Sequence, residues 1–280
     1  MTHVLDSKNR RRVKYCPCGK KDNKDGKFVP FENAEKFGYC HSCDEWYNPE
    51  NKTVLSWKPE RVNRTPKEKP EFISWDYFKP LLYDYHLNDN NRFVTFLQRT
   101  LGVNATHIIL QEYMLGTKDL NVIFPYLNHK AQIVNLKTMD YDHMTGKRGN
   151  VIFYDNRKPR HKMCLFGEHL INVSKHQDKP IAIVESEKTA CLMSYFHPSY
   201  LWLACGGSNG LMSYKFNVLK YRDVCLFPDQ GKFDMWTEKL ERLSDIHSMV
   251  KFEISKECEL WYNDGDIKEG EDIADYYLRL

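Results

Sequence analysis

The spacing of apolar positions changes character along the chain. From Lys179 onward, the compact apolar runs PIAIV, LWLAC, VCLF and VKFEI alternate with stretches of helical spacing such as SEKTACLMSYF and FDMWTEKLERLSDI. Short runs without a polar face suit strands buried on both sides, and their alternation with helices predicts a mostly parallel sheet with helices on its faces. Between residues 121 and 165, NVIFPYL, QIVNLKTM and VIFYD are separated by NHK and HMTGKRG, which predicts an antiparallel sheet. Residues 71 to 102 have spacing compatible with two helices around an Asn-rich break at 88–91, and their aromatic residues are expected in the core. Residues 51–70 are polar, basic and punctuated by proline, which reads as a linker. The fold class expected is α/β, α+β overall: a β-ribbon at 1–50, the linker at 51–70, a mixed α+β subdomain at 71–178 and a mostly parallel, helix-flanked module at 179–280.

Composition narrows the class. With 280 residues and 41% hydrophobic content the chain can bury a sizeable core in two or three modules. It has no apolar run of about 18 residues, and its opening, MTHVLDSKNRRRVKY, lacks the apolar centre of a signal peptide. Neither membrane insertion nor export is expected, and the chain is expected in the cytoplasm. The net charge of +3 is small, but the basic residues are clustered. Nine cysteines, an odd number and widely scattered, argue against a disulfide framework. Five of them, from Cys164 to Cys258, sit mostly in apolar surroundings and read as small buried hydrophobes.

The other four are grouped as Cys16-Pro-Cys18 and Cys40-His-Ser-Cys43, with the strand-like GKFVPF between them. A small antiparallel ribbon would bring these pairs together as the four thiolates that a tetrahedral structural zinc requires. A closed four-cysteine site has no open position, so the Zn2+ would hold shape without performing chemistry. Seven Lys or Arg residues and no acid lie between Lys8 and Lys21, with Arg10, Arg11 and Arg12 at their centre. That density suits contacts to nucleic-acid phosphates.

The C-terminal module places acids where an open α/β sheet places its chemistry, beyond the carboxyl ends of strands. Glu185 follows PIAIV and Asp229 follows VCLFP, and two such carboxylates can share a magnesium ion. LACGG contributes Gly206 and Gly207 at a third strand end, and Asp272 and Asp275 lie near the C-terminus. Each acid alone is as well explained by helix capping.

In their order, these segments resemble a Toprim domain over residues 179–280. FPYLN, IVNLK, GKR and CLFGEHL, followed by IVESEKTA, look like the core of bacterial and phage DNA primases and primase-helicases, which also carry an N-terminal zinc module. As a whole the chain is most similar to a zinc-ribbon and Toprim family of bacterial mobile elements and phages. The resemblance implies metal-dependent phosphoryl transfer on nucleic acid. Glu185 matches the Toprim glutamate, a general acid/base or ligand of Mg2+ or Mn2+, and Asp229 matches the first metal-binding aspartate. The usual second aspartate is absent, because Asp229 is followed by Gln230 and Gly231; Asp234, Asp272 or Asp275 would have to contribute. In a primase the flanking strands hold template and nucleotide, which makes Lys137 a catalytic candidate and Lys147, Arg148, Lys158 and Arg160 nucleic-acid contacts.

The expectation is therefore a primase-like nucleotidyltransferase that binds a single-stranded DNA template and nucleoside triphosphates and makes RNA primers. The absence of GxxxxGK[ST] assigns any helicase to a separate chain. Two alternatives share the fold: a Toprim nuclease or strand-cleaving enzyme, and a catalytically silent nucleic-acid binder.

Overall fold

The computed structural model describes residues 5–17, 22–32, 34–41, 45–47, 70–84, 90–153, 161–207 and 209–280. They fall into two compact units, Met1–Lys67 and Glu68–Leu280. Residues 51–69 of the expected linker lie outside the described residues.

The first unit is an antiparallel ribbon of β1 (Phe28–Phe31), β2 (Ala34–Cys40) and β3 (Glu45–Tyr47) in sequential order. The strands approach closely at Gly38, where an added Cβ would lie 2.1 Å from the Val29 carbonyl oxygen. The segment ahead of the ribbon is pinned by Asn23, which is buried. Its amide donates to the carbonyls of Arg10, Val13 and Phe28, while its oxygen accepts from the Phe28 N–H at 2.8 Å.

The second unit begins with α1 (Trp75–Phe78) and continues through α2 (Arg92–Leu101) and α3 (Val103–Glu112). Helix α2 starts where Asn91 accepts hydrogen bonds from the N–H groups of Phe93 and Val94. It buries Phe93, Val94, Phe96 and Leu97, the stripe that i, i+3, i+4 spacing produces. A four-stranded antiparallel sheet follows: β4 (Gly116–Lys118), β5 (Asn121–Leu127), β6 (Ile133–Tyr141) and β7 (Arg148–Phe153), in that order. Strands β5 and β6 are buried almost throughout, whereas the outer strand β7 is exposed along its length.

The remaining elements alternate. They are β8 (Ile181–Val184), α4 (Glu187–Phe196), β9 (Leu201–Ala204), β10 (Asp223–Leu226), α5 (Phe233–Ile246), β11 (Lys251–Ile254), α6 (Glu257–Asp264) and α7 (Ile273–Tyr277). The four strands form a parallel sheet in the order β11-β10-β8-β9, flanked by helices. The fold is thus α+β with antiparallel sheets and one parallel sheet. After β8 the chain moves to one side for β9, then returns to the other side for β10. That reversal opens a crevice at the carboxyl ends of β8 and β10, where open α/β sheets bind ligands. One continuous core joins the antiparallel and parallel sheets, with Phe124, Tyr126, Phe166, Trp202 and Phe216 among its largest members.

Candidate metal centre

Parallel register aligns the ends of β8 and β10, with Ile183 beside Leu226, so the chain leaves both strands at the same edge. Glu185 is the first residue past β8, and Ser186 caps α4 by accepting a hydrogen bond from the Thr189 N–H at 3.1 Å. Asp229 follows β10 after Phe227 and Pro228, in the turn that opens α5. Glu185 is 7% exposed, and its Oε1 is buried without a hydrogen-bond partner. Burial pushes its carboxyl above the ordinary range, against the opposing pull of Lys232 and Lys239. Asp229 is pushed up much further, first by burial and then by the charges of Asp272 and Glu185.

Asp272 plays a different part. It caps α7, with one oxygen accepting from the Asp275 N–H and the other from the Thr189 hydroxyl; Asp275 returns the contact to the Asp272 N–H, completing a capping box. Its carboxyl is also raised by burial and by Asp275. With both oxygens engaged, it contributes field to the crevice more readily than an open coordination position. Asp234 is exposed in the first turn of α5.

Among the described residues no group of three or more His, Cys, Asp or Glu is disposed to hold an ion. Magnesium is commonly held by one or two carboxylates with water completing its octahedron. The pair Glu185 and Asp229 fits that demand, because Glu185 offers an oxygen that no protein donor satisfies.

Lys137, expected near phosphate, is buried on β6. Its Nζ lies 2.7 Å from Glu187 Oε1, with the two side chains 6% and 1% exposed. The Tyr126 hydroxyl donates to the same oxygen, and the Tyr126 pKa is raised well above normal by burial and by Glu187. Lys137 therefore braces the antiparallel sheet against α4 instead of facing a ligand. Gly206 makes the contact possible: at φ +86° an added Cβ would stand 2.7 Å from the Tyr126 hydroxyl. Sequence reasoning missed Glu187, Tyr126 and Lys215, whose buried Nζ donates to the Cys205 carbonyl at 2.8 Å. One signal was available, since a lysine flanked by the buried run of β6 requires an acid.

Lys147 and Arg148 are exposed at the start of β7, while Lys158 and Arg160 lie outside the described residues. In the first unit Cys16 and Cys40 are buried with their sulfurs 3.2 Å apart. Two ligands of one tetrahedral zinc would stand about 3.8 Å apart, given Zn–S bonds of about 2.3 Å. The observed sulfurs are closer than that, so the fold brings two of the four expected thiols together without showing a zinc site; Cys18 and Cys43 lie outside the described residues. Arg10 and Arg11 are exposed, but Arg12 is tied to Asp6 at 3.1 Å and to the Phe31 carbonyl at 2.6 Å.

No helix among the described residues is long and apolar enough to cross a membrane. Residues 91–230 match the family model described as "Domain of unknown function (DUF6371)". No curated protein matches the chain. Among solved structures, the primase fragment of the bacteriophage T7 primase-helicase protein aligns over 95% of this chain and 96% of its own, at 15% identity and a TM-score of 0.41. The E. coli primase catalytic core aligns over 73% and 75% at 12% identity and a TM-score of 0.33. A DnaG primase catalytic domain bound to ssDNA aligns over 65% and 59% at 16% identity and a TM-score of 0.32. Likenesses this distant leave function to be argued from the side chains.

Proposed function

The chain belongs to the DUF6371 family, and we propose that it is a primase-like nucleotidyltransferase acting on a single-stranded DNA template through a site formed by Glu185 and Asp229. The observation that carries this reading is Glu185 Oε1, a buried carboxylate oxygen with no hydrogen-bond partner, at the end of the strand neighbouring the one that presents Asp229. Unpaired carboxylates in a crevice are held at a cost that a bound divalent cation would offset. The order of motifs along the chain, which resembles primases from FPYLN to the strand-end acids, supports nucleic acid as the substrate.

Glu185 and Asp229 would hold Mg2+ or Mn2+, which when bound neutralises phosphate charge and orients the attacking oxygen. The protein's own residues do the rest. Glu185, with its carboxyl raised by burial, suits proton transfer as well as metal binding. Lys188 acts on Asp229, and Lys232 and Lys239 act on Glu185, so the crevice offers cations to a triphosphate as well as acids to a metal. Lys137 positions α4, and with it the turn carrying Glu185, through Glu187. The first unit, with a structural zinc on Cys16, Cys18, Cys40 and Cys43, would contact template phosphates through Arg10 and Arg11, with Lys147 and Arg148 as further contacts. A helicase working with the chain would be a separate protein, and the cytoplasm is the compartment such a role implies.

Strand cleavage at the same acids is a second catalytic reading, while the glycine at position 231, which removes one acidic arm of the usual pair, favours a silent nucleic-acid binder over either. Incubation with single-stranded DNA, labelled ribonucleotides and magnesium separates them. Primers of defined length support nucleotidyl transfer, shortened DNA supports cleavage, and a mobility shift without either product would leave a silent binder and overturn both.

A further inference from the structure

The turn after β10 does more than omit an acid. Gly231 adopts φ +78°, a left-handed conformation that an aspartate would enter only under strain. An added Cβ there meets no atom within 4 Å, so an acid at this position would stand in open space. The Gly231 N–H donates to Glu259 Oε1 at 2.7 Å, and the Gln230 side-chain amide donates to Glu259 Oε2 at 3.3 Å. Gln230 is fixed from its other end as well. Its side-chain oxygen accepts from the Gly270 N–H at 2.8 Å, and its own N–H donates to the Glu271 carbonyl.

Glu259 lies on α6, the helix after the outer strand β11. Both of its oxygens are engaged by donors of the turn, so it has become part of the scaffold. No other acid takes the vacant role: Asp272 is spent on capping, Asp234 is exposed, and no trio of ligating side chains converges among the described residues. We propose that Glu259 is a positioning residue that clamps the Asp229–Gly231 turn and presents Asp229, together with Glu185, to a single divalent cation, making this a one-ion site. The proposal rests on Glu185 and Asp229 being metal ligands and adds which residue holds them in place and how many ions they take.

The test uses the full chain with its zinc, without DNA or nucleotide, titrated with Mn2+ while electron paramagnetic resonance reports the free ion. Wild type should bind one Mn2+ per chain. Glu259→Ala should weaken binding by roughly 10- to 100-fold, the effect typical of removing a group that orients a metal ligand. Glu259→Gln keeps an acceptor for the Gly231 N–H and loses the one for Gln230, so it should fall between the two; it also preserves the test if the alanine variant does not fold. Gly231→Asp should still bind one ion, because its side chain points into open space. Two ions in wild type, or a second in Gly231→Asp, would overturn the one-ion site. Unchanged affinity in both Glu259 variants would overturn the clamp. No bound Mn2+ in folded wild type would remove the metal reading itself, an outcome distinct from the other two.

Discussion

Replacing Lys137 with Met should destabilise the second unit severely, because it strands the Glu187 carboxylate. At 2.7 Å the pair gains about 6 kcal/mol of attraction for an effective dielectric of about 20, most of which repays the cost of burying both charges. The deletion cost is larger than the net worth of the pair: an uncompensated buried charge costs about 3–5 kcal/mol. The unit spans Glu68–Leu280, a size at which each kcal/mol shifts the melting temperature by about 2–4 °C, so a drop of roughly 6–20 °C is expected. Adding Glu187→Gln removes the stranded charge and leaves Tyr126 an acceptor, so the double variant should recover about half of the loss or more. Thermal melts of the four proteins give the coupling directly. If Lys137→Met melted with wild type, or the second substitution deepened the loss, the bracing role would be refuted. Nucleotidyl transfer by the double variant should stay within about tenfold of wild type, since the Lys137 charge faces Glu187 and not a phosphate.

Further outcomes are expected. Glu185→Gln should lower primer synthesis by at least about a hundredfold while leaving the fold intact, as measured by extension assay and circular dichroism. Because burial raises the folded pKa of Glu185 and Asp229 above their unfolded values, the metal-free protein holds that stability below the ordinary carboxylate range and loses it as pH rises through the folded values. Mg2+ should therefore raise the melting temperature more at pH 8 than at pH 6, and a pH-independent Mg2+ effect in scanning calorimetry would contradict this. Elemental analysis should find about one zinc per chain, and Cys40→Ser should unfold the first unit while sparing the second. Changing Arg10 and Arg11 together to Ala should flatten the salt dependence of DNA binding. Arg12→Ala should instead lower the stability of the first unit through loss of Asp6 and the Phe31 carbonyl.

What was legible in the sequence was what local periodicity controls. The uninterrupted apolar runs IAIV and LWLA became the fully buried β8 and β9, VCL became β10, and KFEI became the edge strand β11, which alternates exposed and half-buried residues and was not the buried strand expected; NVIFPYL and IVNLKTM became β5 and β6. Helix α3 was not foreseen. It begins at Gly102 with no side-chain cap and is rich in β-branched Val103, Thr106, Ile108 and Ile109, features that carry no helix signal on their own. Glu185 and Asp229 were readable as acids near strand ends: Glu185 stands directly after β8, and Asp229 follows β10 with Phe227 and Pro228 between. The pairing of Lys137 with Glu187 joins a strand of the antiparallel sheet to the first residue of α4, 50 positions away; the buried run around Lys137 signals that an acid is needed, but no single-sequence pattern reports which one. The same holds for Glu259, whose partners Gln230 and Gly231 lie across β11 in the chain. Asp272, read from its position as a candidate ligand, also starts α7 through a capping box, a local role that the acid's position equally allowed.

The second unit handles its other buried charges consistently, which gives Glu185 its meaning. Lys137 and Glu187 neutralise one another. Glu168 accepts from the N–H groups of Leu165 and His129, and Lys215 donates to a carbonyl. Among the described residues, the other buried side-chain nitrogens and oxygens without partners are a tryptophan N–H and the Nδ1 atoms of His169 and His176. Both histidines are bonded at Nε2 to Glu112, and burial lowers their pKa values and favours the neutral ring, so an unpartnered nitrogen there strands no charge. Glu185 is thus the one buried carboxylate among the described residues with an unpartnered oxygen, and it sits beside Asp229 at the crevice where the strand order reverses. A fold that satisfies its remaining charges with its own groups and leaves this one open has placed the cost where a cation can offset it.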